Sequence, residues 1–213
     1  MININIAIMI IGLKRSYNEC KKQIEHNLLS PLIKKCKSVD VFISSDEIID
    51  IKNKRGEIIE NKNIDHNIHK QIHKQIHRLH SLYYKIIKPY QKKKNIQYDY
   101  FIKIRPDFVF YKNCIPSIDK WNSEKISCRM RVYPTEVPRL YRTIYFDIGQ
   151  EIIDDQFFII PKYLEEYAFR IDYGNYHKKI RLNYPEAMQT KLWNSHNIKY
   201  ELIYVNGTLN KWK

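Results

Sequence analysis

The stretch that decides the fold is YDYFIKIRPDFVF, residues 98–110. Its apolar first half, Tyr98 to Ile104, is rich in aromatic and β-branched side chains and predicts a buried strand. Arg105, Pro106 and Asp107 follow at once, at the carboxyl end of that strand, where open α/β sheets bind their ligands. A carboxylate there can hold a hard divalent cation that bridges to a diphosphate, and an arginine can contact phosphate or sugar oxygens. A strand-end aspartate that only makes a turn is the alternative interpretation of Asp107.

Strands and helices alternate before this stretch. The predicted elements are strands over 4–11 and 39–44, helices over 18–36 and 68–86, and a polar loop over 46–63. Gly12 stops the first strand. Pro31 should kink or divide the first helix, and Pro89 should end the second.

The chain after this stretch is more mixed. Its predicted elements are strands over 125–133, 157–160 and 200–205, helices that begin near Pro161 and Asn183, and a long exposed connection over 134–149. The apolar side of the first of these helices is predicted at Leu164, Tyr167 and Ile171. Together with the alternation upstream, the pattern predicts an α/β fold with a mostly parallel central sheet flanked by helices.

Length and composition fit one domain over residues 1–213. Hydrophobic residues make up 44% of the chain, enough for a core, so disordered and low-complexity classes are excluded. The formal net charge of +14 favours phosphate-bearing or polyanionic partners without naming one. The abundance of Ile, Asn and Tyr beside only 5 glycines also suggests AT-rich coding drift, which raises the lysine content without selection for nucleic-acid binding.

The amino-terminal residues and the cysteines predict a cytoplasmic protein without a membrane span. The apolar stretch 4–13 is about ten residues long, roughly half of what a membrane helix needs, and has no basic leader or cleavage site. No CxxC spacing occurs, so reduced and packed thiols are expected rather than disulfides or a zinc site. The cysteines are Cys20, Cys36, Cys114 and Cys128.

Several short segments together resemble GT-A-type glycosyltransferases. They are the Ile-rich first strand with Gly12-Leu13-Lys14-Arg15, the strand Asp40-Val41-Phe42-Ile43-Ser44-Ser45, the stretch ending in Arg105-Pro106-Asp107, and Asp154-Asp155-Gln156-Phe157-Phe158. Over most of its length the chain is similar to WavE-type lipopolysaccharide-synthesis proteins and to small glycosyltransferases of bacteria and large DNA viruses. The resemblance implies a GT-A-like, Rossmann-like sheet. It also implies transfer of a sugar from a nucleoside diphosphate donor, such as a UDP-sugar, to a hydroxyl of a glycan, lipid or protein-linked acceptor.

The resemblance also implies roles for residues at strand ends. The metal-binding Asp-x-Asp pattern of the family maps onto Arg105-Pro106-Asp107, so one of its two carboxylates is present. Asp107 is therefore the implied ligand of Mn²⁺ or Mg²⁺, and Arg105 and Arg15 are implied phosphate contacts. The other residues implied to lie along the nucleotide sugar are Gly12, Ser44 and Ser45.

Paired carboxylates suggest the catalytic group. Asp154 and Asp155 precede the apolar run 157–160, and an inverting transferase needs a general base beside the acceptor hydroxyl. Asp155 is the preferred base, and a charged turn at the entrance of a strand is the alternative. Glu186 lies in the first turn of a predicted helix, where pairing with the helix dipole is the alternative to an acceptor contact.

Two further groups of residues leave alternatives open. Five histidines step by three and four along one stripe, as in a metal site or the polar boundary of a half-buried helix; they are His66, His69, His73, His77 and His80. Arg129, Arg131, Arg139 and Arg142, interleaved with tyrosines, suit a sugar acceptor, a nucleic acid or a solvated loop. A nucleic-acid-binding or nucleic-acid-processing protein is the alternative function. Its nuclease form is disfavoured, because no acidic residue after Asp107 has a lysine two positions later.

Overall fold

The strands of the computed structural model lie mostly in one sheet. The model describes residues 1–60, 68–129, 156–169, 193–194 and 196–210, with the backbone alone over 68–74. The strands are β1 Ile2–Ile11, β2 Cys36–Ser45, β3 Lys54–Ile59, β4 Tyr100–Ile104, β5 Phe108–Phe110, β6 Ile126–Arg129, β7 Phe157–Pro161, β8 Tyr200–Ile203 and β9 Gly207–Leu209. Within the described residues, seven of them form a sheet in the order β3-β2-β1-β4-β7-β6-β8, and β5 pairs with β9 in a second sheet.

The large sheet is parallel around β1 and mixed beyond β4. β1 runs parallel to both of its neighbours, with Ile8 opposite Val41 of β2 and Ile102 of β4. β3 continues the parallel part beside β2. β7 is antiparallel to both β4 and β6, and β8 is parallel to β6.

The longer helices lie in two runs, each made of two α-helices joined by a π-helical turn. The first run is α1 Tyr17–Gln23, the π-helical turn Ile24–Leu29 and α2 Ser30–Lys35. The second run is α3 Ile68–Leu82, the π-helical turn Tyr83–Ile87 and α4 Lys88–Lys94. Shorter helical segments are the 3₁₀ turns Ile118–Lys120 and Lys162–Leu164 and a helix over Glu165–Phe169.

A proline stands in the first turn after each π-helical turn, Pro31 in α2 and Pro89 in α4. Before Pro31, the backbone N–H of Ser30 donates five residues back to the carbonyl oxygen of Glu25, and the same pattern occurs before Pro89. The wider turn makes room for a proline ring, which lacks an N–H and clashes with the preceding turn of a regular helix. Pro31 does not divide the helix, because the backbone stays helical through it and changes there only from a π-helical turn to α-helix. The prediction that Pro89 ends its helix is wrong, because the helix continues to Lys94.

Each face of the large sheet carries its own apolar cluster. α1 and α2 cover one face, where Leu28 joins a cluster with Ile8 of β1. α3 covers the other face, where Leu79 joins a cluster with Met9 and Phe101. Successive residues of a strand point to opposite faces, which is why Ile8 and Met9 belong to different clusters. Helices thus flank the sheet on both faces, and the predicted α/β fold with a mostly parallel central sheet is confirmed.

Two further predictions about local structure are wrong. β3 forms inside the predicted loop 46–63, as an edge strand whose first four residues are polar or glycine. Its Gly56 lies so close to the second helical run that a Cβ there would come within 2.5 Å of Ile86 Cγ2. Tyr167, predicted on the apolar side of its helix, is 64% exposed, and Phe169 is buried in its place.

The cysteines and the helices also bear on the sequence predictions. All four cysteines are buried and unpaired by disulfides, as predicted. No helix of the described residues combines the length and the apolar character that crossing a bilayer requires.

Candidate functional site

The carboxyl ends of β1 and β4 lie side by side at the point where the strand order reverses, the place where open α/β sheets have their ligand crevice. β2 pairs with one side of β1, and β4, which follows α3 on the other face of the sheet, pairs with the opposite side. Open α/β sheets bind ligands at such a reversal. The structure therefore brings six predicted residues to one edge of the sheet: Gly12, Arg15, Ser44, Ser45, Arg105 and Asp107.

Gly12 allows the two strand ends to approach each other. It has a φ of +141°, a conformation that is strained for residues with a side chain, and its N–H donates to the Ser44 carbonyl oxygen at 3.1 Å. A Cβ at this position would lie 3.1 Å from Pro106 Cδ. Because glycine has no Cβ, the Arg105-Pro106-Asp107 turn closes against the end of β1.

Arg105 and Asp107 form a two-pronged ion pair within this turn. Arg105 Nε donates to Asp107 Oδ1 at 2.8 Å, and Arg105 Nη2 donates to Asp107 Oδ2 at 2.7 Å. The Asp107 side chain is only 4% exposed, whereas that of Arg105 is 19% exposed. Asn210, just after β9, donates its backbone N–H to the Asp107 carbonyl oxygen at 2.9 Å. Side-chain and backbone contacts therefore both fix the turn.

Arg15 lies on the loop after β1, close enough to Arg105 for their charges to interact. Partial burial of the Arg15 guanidinium, together with the charge of Arg105, lowers the pKa of Arg15, while Asp107 and Asp46 act in the opposite direction. Arg15 also adopts a φ of +30°, a left-handed conformation that arginine rarely takes. Strained backbone of this kind is concentrated at ligand sites.

The end of β2 supplies hydroxyls and a carboxylate beside Gly12. Asp46 Oδ1 accepts hydrogen bonds from the Lys14 N–H at 2.8 Å and from Ser45 Oγ at 3.2 Å, and so ties the loop after β1 to β2. Ser44 is fully buried. Its Oγ has no hydrogen-bond partner among the described residues, which leaves a polar group for a ligand to satisfy.

Two residues of α3 reach this edge without having been predicted. Gln75 Nε2 would lie 3.6 Å from a Cβ at Gly12. Arg78 is buried, and its Nε donates to Glu60 Oε2 at 2.9 Å. The sequence signal that could have found them is that both polar residues adjoin the apolar stripe of α3, a helix that starts after the carboxyl end of β3.

The described residues do not by themselves form a metal site at Asp107. Both oxygens of Asp107 accept from Arg105, which leaves them poorly placed to coordinate a cation. Across the described part of the chain, no group of three or more His, Cys, Asp or Glu side chains is arranged to hold a metal ion. The assignment of Mn²⁺ or Mg²⁺ to Asp107 stays a prediction.

Several predicted site residues lie outside the described residues. They are Asp154, Asp155, Arg131, Arg139, Arg142 and Glu186, together with His66 of the histidine stripe. The side chains of His69 and His73 are likewise not described. Gln156, which follows the two aspartates, is buried at the start of β7.

Two other polar residues singled out from the sequence have structural contacts. His80 Nδ1 lies 2.8 Å from the Phe169 carbonyl oxygen, and its ring packs on Tyr84 with 4.5 Å between centroids. Arg129, the described neighbour of the basic loop, is buried and lies over the Phe108 ring at 5.3 Å. Its Nη2 donates to the Gly207 carbonyl oxygen at 3.1 Å, so it joins the two sheets.

Comparison with known proteins adds no assignment. No protein-family model matches the chain. No curated protein matches it either.

Proposed function

We propose that the chain is a glycosyltransferase that binds a nucleoside diphosphate sugar in the crevice between β1 and β4. It transfers the sugar to a hydroxyl of a glycan, lipid or protein-linked acceptor. The observation that carries the proposal is that Arg15, on the loop after β1, and Arg105, on the turn that closes against Gly12, lie together at the reversal of strand order. Guanidinium groups at such an edge suit the diphosphate of the donor. The sequence resemblance to GT-A-type enzymes points to the same donor.

The remaining residues at the edge suit the rest of the donor. Ser44 Oγ, buried and without a hydrogen-bond partner among the described residues, offers a hydroxyl to the ribose or base. Ser45 and Gly12 border the same crevice. These contacts orient the donor while the arginines hold its diphosphate.

The proposed transfer moves one sugar and one proton. The acceptor oxygen attacks the anomeric carbon, the bond from that carbon to the diphosphate oxygen breaks, and a carboxylate takes the acceptor proton. Asp155, with Asp154 beside it, is the proposed carboxylate. Arginine side chains stay protonated throughout, so they stabilise the negative charge that develops on the leaving diphosphate without exchanging a proton.

A divalent cation implied by the resemblance would have Asp107 as its ligand. Mn²⁺ or Mg²⁺ at that position would supply further positive charge to the leaving diphosphate. Because Asp107 is bonded to Arg105 through both oxygens, the roles of the chain's own residues are derived without that ion.

A panel of nucleotide sugars tests the proposal through thermal stability. A donor present at a hundred times its Kd should stabilise the protein by about 2.7 kcal/mol, a rise in melting temperature of roughly 5–10 °C. Free sugars and nucleosides serve as controls and should give no comparable shift. Release of the nucleoside diphosphate in the presence of acceptor then measures turnover. If no nucleotide sugar shifts the melting temperature, the proposal is wrong.

The acid–base role has its own variants. Asp155→Asn should lower kcat by about 10²- to 10⁴-fold and leave donor affinity nearly unchanged, because a general base acts in the transition state. Asp154→Asn and Glu186→Gln are the matched controls. Loss of turnover in either control with an active Asp155→Asn would move the role to that neighbour.

A further inference from the structure

We infer that Arg105 and Arg15 hold the donor's diphosphate directly, and that Asp107 is a positioning residue for Arg105 rather than a metal ligand. The inference rests on the proposed function and specifies how that site recognises its substrate. It departs from the cation that the sequence resemblance implies at Asp107. The ligand is a diphosphate group, and the site needs no divalent ion.

The first argument is the coordination of Asp107. Its two oxygens lie 2.8 and 2.7 Å from two nitrogens of one guanidinium, the arrangement in which arginine and carboxylate match each other. A metal ion on either oxygen would have to share that oxygen with one of these hydrogen bonds. It would also stand next to the positive charge of Arg105, which disfavours a second cation there.

The second argument is the orientation that the pair imposes. Arg105 carries five N–H donors in one plane, and the contacts to Asp107 fix that plane. The Nη1 side of the guanidinium is then turned away from Asp107. A guanidinium held in this way before the ligand arrives loses little freedom on binding.

The third argument is the rigidity of the turn itself. Pro106 is buried and packs against Gly12, and Asn210 holds the Asp107 carbonyl oxygen. The loop on the other side of the crevice is fixed by Asp46, which accepts the Lys14 N–H at 2.8 Å. Arg15 and Arg105 are therefore presented from two anchored segments, and their like charges are stabilised when a diphosphate lies between them.

Pyrophosphate and UDP are the probes, because the first carries the diphosphate without a base. Their binding is measured by isothermal titration calorimetry in EDTA and again in Mn²⁺. We expect the wild-type protein to bind both probes in EDTA. The double variant Arg105→Gln/Asp107→Asn should weaken pyrophosphate binding by about 10- to 100-fold, the range expected for lost hydrogen bonds to a charged group.

The controls separate a local effect from a change in charge or folding. The double variant keeps the net charge of the chain, because one positive and one negative charge are removed together. Arg55→Gln removes an arginine that also pairs with a buried aspartate, Asp40, but outside the crevice, and should leave binding unchanged. Circular dichroism and the melting temperature show whether each variant is folded.

Asp107→Asn tests the positioning role. It should weaken UDP more than UMP, since the second phosphate depends on the orientation of Arg105, whereas a general structural defect would weaken both alike. Arg105→Lys keeps the charge without the planar fork and should show the same selective loss.

Each other outcome overturns a defined claim. Binding that requires Mn²⁺ and is lost in Asp107→Asn even when Mn²⁺ is present makes Asp107 a metal ligand, which overturns the inference and leaves the proposed function intact. Undiminished pyrophosphate binding by the folded double variant also overturns the inference. Pyrophosphate binding in EDTA without binding of any nucleotide sugar overturns the proposed function and leaves the anion site. Failure of all probes in both media overturns both.

Discussion

Two buried aspartates of this protein are paired with arginine, and the two pairs differ in what they connect. Asp40 of β2 accepts from Arg55 Nε at 2.7 Å and from the Tyr98 hydroxyl at 2.7 Å. Its side chain is 7% exposed, and that of Arg55 is 46% exposed. Asp107 receives both of its side-chain hydrogen bonds described above from Arg105, two residues away in the same turn.

The difference lies in the distance along the chain. Asp40 joins β2 to β3 through Arg55 and to the residues before β4 through Tyr98, so its contacts hold separate strands together. A pair within one turn cannot connect distant elements. It fixes the turn and sets the direction of the Arg105 guanidinium, which is the arrangement that the proposed diphosphate contact requires. The two aspartates are similarly buried, yet the Asp40 pair connects strands, whereas the Asp107 pair fits the ligand role proposed above for Arg105.

The largest expected effect comes from removing each arginine in turn. Arg105→Gln leaves the Asp107 carboxylate buried without its ionic partner and should lower the free energy of unfolding by about 3–5 kcal/mol. Arg55→Gln should cost about 1 kcal/mol, because Arg55 is half exposed and Asp40 keeps the Tyr98 hydroxyl. Urea denaturation measures both. Equal losses would show that the two pairs do not differ in kind.

A second substitution tests the Asp40–Arg55 pair through Tyr98, the uncharged residue that also donates to Asp40. Tyr98→Phe removes the hydroxyl from Asp40 Oδ2 and should lower the free energy of unfolding by about 1–3 kcal/mol. Tyr83→Phe is the control. Its acceptor, Glu165 Oε1, keeps a hydrogen bond from Gln91 Nε2 at 2.9 Å, so the loss should be smaller. The reverse order in urea denaturation would contradict the role given to Tyr98.

The pH dependence of stability gives a smaller and more specific test. Burial, together with the hydrogen bond to Asp40, raises the pKa of Tyr98 above its usual value. Below about pH 10 the phenol is protonated in both states, and above it the unfolded chain loses the proton first, so stability falls as the pH rises. Burial raises the pKa of Tyr17 and of Tyr83 in the same direction.

Replacing Tyr98 should therefore remove the contribution of one ionisable group from the fall of the free energy of unfolding at alkaline pH. The free energy of unfolding of Tyr98→Phe should fall less steeply above about pH 10, by about 1.4 kcal/mol per pH unit relative to the wild type. Urea denaturation at several pH values from 9 upwards gives both slopes. Parallel curves would mean that Tyr98 ionises as easily in the folded protein as in the unfolded chain.

The smallest expected effect concerns duplex DNA. The net charge of +14 should give non-specific binding, with a Kd of about 10⁻⁴–10⁻⁶ M at physiological salt, that weakens steeply as salt is added. Arg105→Gln/Asp107→Asn should leave this binding unchanged, since it keeps the net charge while removing the proposed diphosphate contact. Fluorescence anisotropy measures it. Tight and sequence-selective binding would favour a nucleic-acid function instead.

The parts of the fold that the sequence predicts are those with long apolar runs. β1, β2, β4 and β7 were predicted because nearly every side chain in them is buried, and burial on both faces leaves a continuous apolar run. β3 was missed because an edge strand exposes one side and mixes polar residues into its pattern. Its pairing with β2 depends on backbone hydrogen bonds, which composition does not encode.

The positions of the candidate site residues were predicted from the sequence, and the hydrogen bonding of Asp107 was not. Residues that follow buried parallel strands meet at one edge, so Arg105 was found from its strand end, and Gly12 and Arg15 were implied by the resemblance. The bonding of Asp107 to Arg105 depends on the conformation of one turn, and a spacing of two residues does not reveal it. Gln75 was missed because it belongs to a helix that packs on the face of the sheet and does not follow a strand end.

The π-helical turn Tyr83–Ile87 sets the rotational phase between α3 and α4. A π turn takes up about one residue more than an α turn, which corresponds to about 100° of rotation around the helix axis. Deleting a single residue there would convert the turn to regular α-helix and rotate α4 against α3 by that angle. α3 carries Gln75 and Arg78 to the crevice, and α4 lies beyond the turn. The number of residues in the turn therefore sets how α4 is oriented relative to the part of α3 that lies at the crevice. An insertion or deletion within Tyr83–Ile87 would therefore change the orientation of α4 relative to α3 even if every other side chain stayed the same.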